Sequence, residues 1–526
     1  MDDPFGRLGI STQSENHKST VLSLSRDVER FHASDIPFRI FHGNTNSTRP
    51  SVRTLAATID ISSLNHVLSV STSERTCLVE PNVPMDALVA ATLPHGLVPP
   101  VVPEFPGITV GGAFAGTAGE SSSFKYGFFD RAVNWIEVIL ADGQVVAASN
   151  EQNQDLFYGM AGTFGTLGVT TLFEIRLIPA RYFVQLSYMP VSGIEDAQEV
   201  IQGVADNEDM DFLDGIMFSP DEGVIMAGKM MDRNQADRKL AISTFGKPWD
   251  PWFYVHAEQS MSKNGAFDDE PNKTPKSKIH PAAYQDLIPL TDYLFRYDRG
   301  AFWTGRHAYT YFLTPFNRFT RWFLDSFMHT RVMYHALHRS GLMQRFIIQD
   351  MAVPNKNVPE FSAWLDSELS HIYPRWLCPL KTNETVSMHP HLAPAAQSTD
   401  DVLLNIGVWG PTPKHMRQVA VNRKIEHKLK SLHGMKWLYA QTFYTEDEFW
   451  QIYDRRWYEA LRKKYRVEKL PSVYEKVRTK FDVNANAAPE GDVRLGIEQG
   501  FWSLWPFAGL YGVLSVLKGG DYLRKS

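Results

Sequence analysis

Short apolar runs separated by polar turns dominate the first 180 residues. The spacing of apolar residues predicts a helix over Val21–His32, and Pro84 suits the first turn of a second helix that ends at His95-Gly96. The apolar runs predict strands at Phe38–Phe41, Thr54–Ile61, His66–Val70, Thr76–Glu80, Val133–Leu140, Gln144–Ala147 and Val169–Leu177. This mixture predicts an α+β domain over residues 21–180, preceded by a polar tail of residues 1–20.

Residues 181–480 have a different pattern of predicted secondary structure, in which strands alternate with longer helical segments. Helices are predicted over Phe312–Gln349 and Thr445–Arg466, and the second opens with the capping-box pair Thr445 and Glu448. Strands are predicted at Phe183–Met189, Gly215–Gly228, Leu404–Val408 and Trp437–Thr442. The pattern predicts a second α+β domain that covers a substrate, followed by a linker and an apolar tail over residues 481–526.

One stretch, Ile108–Ser123, has too little side-chain volume to pack a core. Glu120 is its one charged residue, and its glycines are Gly111, Gly112, Gly116 and Gly119. Glycine has no Cβ atom and permits positive φ, so the backbone can touch a flat or phosphorylated ligand through its N–H groups. A tight exposed loop is the alternative interpretation.

Two further small-residue loops at strand ends favour a ligand site. Phe38–Arg49 opens from an apolar strand into a polar loop, whose hydroxyl and amide donors suit a pyrophosphate. Gly159–Gly168 has glycine at every third position before the next strand. Because three such loops lie within one domain, we expect them to bind one large, extended cofactor.

The composition narrows the class of protein. The chain has 526 residues, of which 43% are hydrophobic and 21% charged, and a net charge of −6, as in globular proteins of two or three domains. The negative charge and the lack of a basic, aromatic stripe disfavour a nucleic-acid partner. Cys77 and Cys378 lie in apolar runs, which suits a reducing compartment. No cysteine or histidine cluster has metal-ligand spacing, so no metal is predicted.

Several segments resemble the Δ24-sterol reductases, a branch of the vanillyl-alcohol-oxidase-like flavoproteins that have a PCMH-type FAD-binding domain. In the first domain they read CLVEPNVPM, VPEFPGITVGG, GESSSFKYGFF, ILADGQVV and FGTLGVTTLFEIRLIPA. The second domain continues the resemblance in DGIMFSPDEGVIMAGKM, QDMAVP, YPRWLCPL, LHGMKWLYA and EFW, so that it covers about Phe38 to Val477.

The resemblance implies that FAD lies along the glycine-rich run and between the two other loops. The candidate cofactor-binding residues are Asn44, Asn46, Ser47, Thr109, Val110, Gly111, Gly112, Ala113, Phe114, Ala115, Gly116, Thr117, Ala118, Gly119, Glu120, Ser121, Gly165 and Gly168. Many members of the superfamily attach FAD to a histidine of the first loop. Here His42 precedes the loop glycine, so we expect non-covalent FAD.

The family reaction reduces the C24–C25 double bond of a sterol side chain, with NADPH as the hydride source through FAD. An isolated alkene has no carbonyl to accept electron density, so we expect protonation of the alkene to precede hydride addition. The candidate acids are Glu104, Glu120 and Tyr126, and a water molecule is the remaining alternative. Each residue also has a structural interpretation: a salt bridge for Glu104, a turn cap for Glu120 and packing for Tyr126.

Two other functions are compatible with the same motifs. A flavoprotein oxidase or dehydrogenase of another small molecule would share the glycine loops, and its reduced flavin would react rapidly with oxygen without NADPH consumption. A sterol-binding protein without turnover would lack a bound flavin after mild purification.

The tail segment Phe501–Leu517 is uncharged, contains Trp and Tyr, and precedes Lys518, Arg524 and Lys525. It is compatible with a membrane-surface anchor, a membrane span or a segment docked on the protein's own surface. The polar N-terminus is neither a signal nor a transit peptide, and the membrane helix usual near the N-terminus of sterol reductases is missing from it. We expect the tail to hold the protein on the cytosolic face of the endoplasmic reticulum, with a cytoplasmic protein as the alternative.

Gly112→Val should abolish FAD binding while the fold is largely kept, because a branched side chain would stand where the backbone meets the cofactor. The flavin-to-protein absorbance ratio of the purified variant measures this directly. Normal flavin occupancy would remove the glycine-rich run from the cofactor site.

Overall fold

The chain forms two α+β units, each built on one principal sheet, as the sequence predicts. The structure is a computed structural model that describes residues 12–42, 58–264, 284–382, 388, 402–413, 416–479 and 507–519. The chain passes from the first sheet to the second between Pro179 and Phe183, close to the expected domain boundary at Ala180.

The first unit carries a five-stranded antiparallel sheet with the strand order β3-β4-β8-β6-β7. Strands β1 and β2 pair in parallel beside it, and β5 pairs with β9. Its elements are α1 (Thr12–Ala33), β1 (Arg39–Phe41), β2 (Thr58–Asp60), β3 (Val67–Ser71), β4 (Thr76–Val79), α2 (Met85–Thr92), β5 (Leu97–Val98), α3 (Val110–Ala115), α4 (Ser123–Tyr126), β6 (Val133–Ile139), β7 (Val145–Ser149), α5 (Gln154–Met160), β8 (Val169–Arg176) and β9 (Ile178–Pro179).

The second unit carries a nine-stranded sheet with the order β13-β14-β10-β12-β11-β16-β17-β15-β18. Its elements are β10 (Phe183–Val191), α6 (Ile194–Ala205), β11 (Phe212–Ser219), β12 (Glu222–Met231), β13 (Ala241–Ile242), α7 (Phe253–Asn264), β14 (Tyr284–Pro289), α8 (Leu290–Leu294), α9 (Thr304–Tyr311), α10 (Arg318–Phe323), α11 (Thr330–Ser340), β15 (Phe346–Pro354), α12 (Val358–Leu369), β16 (Arg375–Lys381), β17 (Val402–Pro411), α13 (Gln418–Ser431), β18 (Met435–Lys436), α14 (Glu446–Ile452), α15 (Arg455–Lys464), α16 (Val473–Val477) and α17 (Phe507–Gly519).

The two faces of the nine-stranded sheet have different neighbours. Helices α6, α12 and α13 cover one face and form a core of their own with it. The other face belongs to a core that is continuous with the first unit. Successive residues of a strand point to opposite faces, so every second residue of the central strands points toward the glycine-rich run.

Several local predictions are confirmed. The hairpin around Asp142-Gly143 joins β6 and β7, and Gly143 has φ 85°. Pro84 lies just before α2 as its N-cap, and Gly96 ends that region with φ 70°. The Thr445–Glu448 capping box is present at α14. Local turn and cap chemistry therefore fixes these boundaries.

Other predictions are wrong at positions where contacts between residues distant in sequence determine the secondary structure. Gly215–Gly228 is a hairpin of two strands, because the chain turns at Pro220-Asp221. Phe312–Gln349 is not one helix: it contains α10 and α11 and then enters β15, which pairs with β17 along its whole length. The long helix predicted from Thr445 breaks at Tyr453, after which Asp454 caps α15. Trp437–Thr442 is a turn that follows the short strand β18.

Helix α1 begins at Thr12, nine residues before the predicted start, so part of the predicted polar tail is helical and packed. The His17 ring is fully buried, with Nδ1 2.7 Å from Glu80 Oε1 and Nε2 3.2 Å from Glu137 Oε1. Burial opposes protonation of the ring, but the hydrogen bonds and charges of Glu137 and Glu80 outweigh it and raise the pKa of His17 to about 9. A buried ion triad therefore fastens α1 to the first sheet.

Helix α17, from the predicted tail, packs against α11. A Cβ atom added at Gly512 would lie 2.7 Å from the Ala336 carbonyl oxygen, so glycine allows the two backbones to approach closely. Residues 501–506 of the predicted apolar run lie outside the described residues. None of the helices that the structure describes has the length and apolarity needed to cross a membrane.

His17→Ala should lower the free energy of unfolding at neutral pH by about 3 kcal/mol, because it leaves two buried carboxylates without their cation. The raised pKa means that the stabilisation is complete below about pH 6.5 and is lost as pH rises through about 9. Urea unfolding of both proteins across this range measures the difference.

His66→Ala is the matched control, because His66 contacts the same Glu80 carboxylate at 3.2 Å but its side chain is 55% exposed. We expect a loss of less than about 1 kcal/mol for it. Equal losses in the two variants, or a loss for His17→Ala that does not shrink at alkaline pH, would contradict the triad.

Candidate active site

Two of the three small-residue loops of the first unit lie close together, because a Cβ atom added at Gly116 would lie 3.9 Å from Phe164 Cε1. The third loop also contacts β1, the strand before the first loop, where a Cβ atom added at Gly165 would lie 2.7 Å from Ile40 Cδ1. A small open cleft at this contact is lined by Phe38, Arg39, Ile40, Gly165, Thr166, Leu470, Pro471 and Lys476. Residues 43–57, which include the polar part of the first loop, lie outside the described residues, so a cofactor that touches all three loops stays a prediction.

Part of the glycine-rich run packs against the rest of the protein, and part of it is open to a ligand. Gly112 is exposed, and a Cβ atom added there would meet only the Thr109 hydroxyl, at 3.1 Å, whose oxygen accepts a hydrogen bond from Gly112 N. Gly111 instead packs on Pro81, where an added Cβ would lie at 2.9 Å. Substitution of Gly112 therefore tests the ligand site, whereas substitution of Gly111 tests the fold.

The other candidate cofactor residues divide in the same way. Ala115, Gly116 and Ala118 are half-buried, whereas the side chains of Val110, Ala113, Phe114, Thr117 and Ser121 are buried and leave only backbone groups for a ligand. Gly119 packs against Leu380, and Gly168 packs against Val138 of β6. Asn44, Asn46 and Ser47 lie outside the described residues.

The end of the run is held by the second unit. The Trp437 indole Nε1 donates to the Thr117 carbonyl at 2.8 Å, and Leu213 N donates to the Ser121 carbonyl at 2.7 Å. The Cys378 thiol donates to the Glu120 carbonyl at 3.3 Å. The candidate site therefore lies where the glycine-rich run meets β11, β16 and the turn after β18.

Two of the predicted acids, Glu104 and Glu120, are buried at this junction. Glu120 accepts hydrogen bonds from the Ser121 hydroxyl, at 2.7 Å, and from the Ser122 hydroxyl. Glu104 Oε1 has no hydrogen-bond partner among the described residues. Burial, followed by the charge of Glu120, raises the pKa of Glu104 well above its ordinary value and so favours its protonated form.

Burial also raises the pKa of Glu120, although the hydrogen bonds from Ser122 and Ser121 oppose the shift. Tyr126, the third predicted acid, is half-buried, and burial raises the pKa of its phenol. Glu120 and Tyr126 line one open cleft of about 260 Å³ together with apolar residues of both units. The structure therefore places Glu120 beside both other candidate acids. Glu104, unlike Glu120 and Tyr126, does not line the open cleft.

Two polar clusters that sequence reasoning missed lie on the same side of the nine-stranded sheet. Asp214 Oδ2 accepts hydrogen bonds from Arg296 Nη2 at 2.8 Å, from the Tyr297 hydroxyl at 2.8 Å and from Trp376 Nε1 at 3.1 Å. The Arg296 charge favours ionisation of both Glu104 and Glu120, which partly offsets the effect of burial on their pKa values. A buried cation thus faces the carboxylates.

The second cluster surrounds Asp350 in β15. The Tyr439 hydroxyl donates to Asp350 Oδ2 at 2.6 Å, and Asn405 Nδ2 donates to Oδ1 at 3.2 Å. Asp214, Asp350 and Asn405 are polar residues within apolar strands, at alternate positions that face the first unit. That break in the apolar pattern, together with the family-like segments around Asp214, Asp350 and Tyr439, was the signal available in the sequence.

Aromatic side chains form a wall next to these clusters. The Phe105 ring packs edge-to-face on Phe302, Tyr334 and Trp409, with ring centres 5.7, 6.2 and 5.8 Å away. Phe302 stacks on Tyr297, whose hydroxyl is bound to Asp214. The residue after Glu104 therefore begins a rigid, buried cluster of aromatic side chains.

Comparisons with known proteins identify the family of the chain. A family model described as an FAD binding domain matches residues 19–149. The Delta(24)-sterol reductase of Homo sapiens is 31% identical over 418 residues, which are 79% of this chain and 76% of the human protein. The Delta(24)-sterol reductase of Arabidopsis thaliana is 29% identical over 459 residues, 80% of this chain and 76% of the plant protein.

A Delta(24)-sterol reductase homolog of Caenorhabditis elegans is 26% identical over 448 residues, 81% of this chain and 80% of the nematode protein. The similarity thus extends from the glycine-rich run into the strands that carry Asp214, Asp350 and Trp376. The chain belongs to the Delta(24)-sterol reductase family and is an FAD-dependent oxidoreductase that acts on a carbon–carbon double bond.

Proposed function

We propose that this protein reduces the side-chain C24–C25 double bond of a sterol or a sterol-like terpenoid, with NADPH as the electron donor and non-covalent FAD. The observation that carries the proposal is Glu104, a buried carboxyl with a free oxygen between the cofactor loop and the aromatic wall. Burial raises the pKa of this carboxyl and so favours the protonated form that an acid for an isolated alkene needs.

Each residue of the site has its own role in the proposed reaction. Glu104 gives its proton to the less substituted alkene carbon, and the aromatic faces of Phe105 and Trp409 stabilise the positive charge that develops on the other carbon. The packed wall excludes water, which would otherwise trap that charge as an alcohol. When bound, FAD supplies the hydride that completes the reduction. Glu120, at the open cleft, returns a proton to Glu104.

Glu104 is the best of the three predicted acids. Both carboxylate oxygens of Glu120 already accept hydrogen bonds from serines. Its proposed role is therefore to stabilise the end of the glycine-rich run and to relay a proton. Tyr126 lies at the half-exposed side of the cleft, and its raised pKa makes it a weaker acid than an ordinary phenol.

The proposal of non-covalent FAD rests on the position of His42, which precedes the loop glycine Gly43 instead of following it. We also propose that the protein works at the cytosolic face of the endoplasmic reticulum, because its substrate is nearly insoluble in water and resides in a bilayer.

The purified protein with FAD, NADPH and desmosterol should yield a sterol heavier by two hydrogen atoms, measured by mass spectrometry. NADPH consumption should match product formation. If the reduced flavin instead reacts rapidly with oxygen while NADPH is not consumed, the protein is an oxidase and the proposal fails.

Glu104→Gln should lower kcat by roughly 100-fold or more, because it removes the proton but keeps the shape of the side chain. Flavin content and thermal unfolding should stay close to those of the parent protein. The parent activity should fall as pH rises through the raised pKa of Glu104, and the variant should lack that dependence.

Tyr126→Phe is the control for a phenol donor, and we expect it to keep most of the activity. If Tyr126→Phe is the inactive variant, or if Glu104→Gln turns over at the parent rate, Glu104 is not the acid.

A further inference from the structure

The large apolar side chains that the described chain exposes are concentrated on one helical block. Leu313 is 76% exposed, Phe319 is 62% exposed and Phe323 is 70% exposed, on α10 and the loop before it. Leu510, Leu514 and Leu517 of α17 are exposed by 40–55%. We call these six residues the apolar face. Monomeric proteins rarely expose so much apolar surface in one region unless it binds something.

The elements that carry the apolar face are in contact with one another. Gly509 N of α17 donates to the Tyr311 hydroxyl at 3.4 Å, and a Cβ atom at Gly509 would lie 2.5 Å from the Phe312 ring. Leu313 follows directly. The Tyr309 hydroxyl donates to the Thr320 carbonyl at 3.3 Å and joins α9 to α10. The apolar face is therefore part of one packed assembly of helices, and α17 is a component of the fold.

The same block is cationic in an acidic protein. Residues 300–349 contain six arginines and one acidic residue, Asp325, whereas the chain as a whole has a net charge of −6. Asp325 is buried, and its Oδ1 accepts from Arg299 Nε at 2.8 Å, so it does not offset the surface charge. Arg306 and Arg318 are exposed beside the aromatic residues. The charge favours an anionic partner.

We propose that the apolar face and its arginines form a membrane-docking surface, which inserts Phe319, Phe323 and Leu313 into the interfacial region of an anionic phospholipid bilayer. Exposed Phe and Leu among arginines are the composition of helices that lie in the plane of a membrane. A second copy of the chain is a poorer occupant, because a two-fold dimer would place two cationic blocks against each other. The proposal goes beyond the expected tail anchor, since it places the main insertion on α10.

The surface is also close to the candidate active site. Helix α9 starts directly after Phe302 and Trp303, which belong to the aromatic wall, and ends at the apolar face eight residues later. Eight helical residues span about 12 Å. Transfer of a sterol from the bilayer along α9 to the wall rests on the proposed function, whereas the docking itself does not.

The test is sedimentation of the purified, FAD-loaded full chain with vesicles of phosphatidylcholine, with and without phosphatidylserine. The parent protein should bind the anionic vesicles more tightly than the neutral ones. The double variant Phe319→Ser/Phe323→Ser should lose roughly 10-fold or more in affinity for anionic vesicles. Arg318→Ala should weaken binding to anionic vesicles and leave binding to neutral vesicles unchanged.

Ile242→Ser is the matched control, because Ile242 is also 62% exposed but lies on the edge strand β13, outside the block. It should bind like the parent protein. All variants should keep the parent flavin content and the parent rate on detergent-dispersed sterol, which separates failure of docking from failure of the proposed function.

Three results would overturn the proposal. The parent protein does not bind vesicles of either composition; Ile242→Ser loses as much affinity as the double variant; or Phe319→Ser/Phe323→Ser abolishes a dimer or a stable complex with another protein while vesicle binding is unchanged. The last result would assign the apolar face to a protein partner.

Discussion

Three hydrogen bonds tie the end of the glycine-rich run, Thr117–Ser121, to the second unit, and the rest of the site depends on them. A run of small residues has few side chains with which to fix its own conformation, so its backbone carbonyls must be held from outside. Trp437, Cys378 and Leu213 donate those bonds from three separate parts of the second unit. The glycine-rich run therefore takes its final form only against the second unit.

That contact also explains the unusual chemistry of the carboxyls. It removes Glu104 and Glu120 from water, and a low-dielectric environment disfavours two negative charges beside each other. Arg296 supplies one compensating cation, but Asp214 already neutralises it at 2.8 Å. The junction therefore disfavours ionisation of Glu104. Retention of the proton and exclusion of water thus have one physical origin.

The proposed sterol substrate links the candidate active site in the interior to the exposed apolar face. Helix α9 joins the aromatic wall to a cationic block with exposed Phe and Leu side chains. A protein that stays in water gains nothing from exposing such residues, whereas an enzyme that acts on a bilayer lipid gains both attachment and a short transfer path. The glycines of α17 let that helix pack closely and complete the block.

The sequence by itself determined the features that short-range chemistry controls. The Asp142-Gly143 hairpin, the capping box at Thr445 and most of the strands followed from local residue types. The family resemblance added FAD, and the comparisons support it. Glu104 and Glu120 were recognised as candidates, although their roles were left open.

Only the tertiary structure decided the features that depend on partners distant in sequence. The helix predicted over Phe312–Gln349 runs into Phe346–Pro354, which is a strand that pairs with β17 along its whole length. His17 is buried because two carboxylates from the first sheet face it. Sheet order and strand alternation place Asp214 and Asp350 on one face, and Arg296 and Tyr439 reach them from segments distant in sequence. The break in the apolar strand pattern marks the two aspartates, but their partners are decided only when separate segments meet.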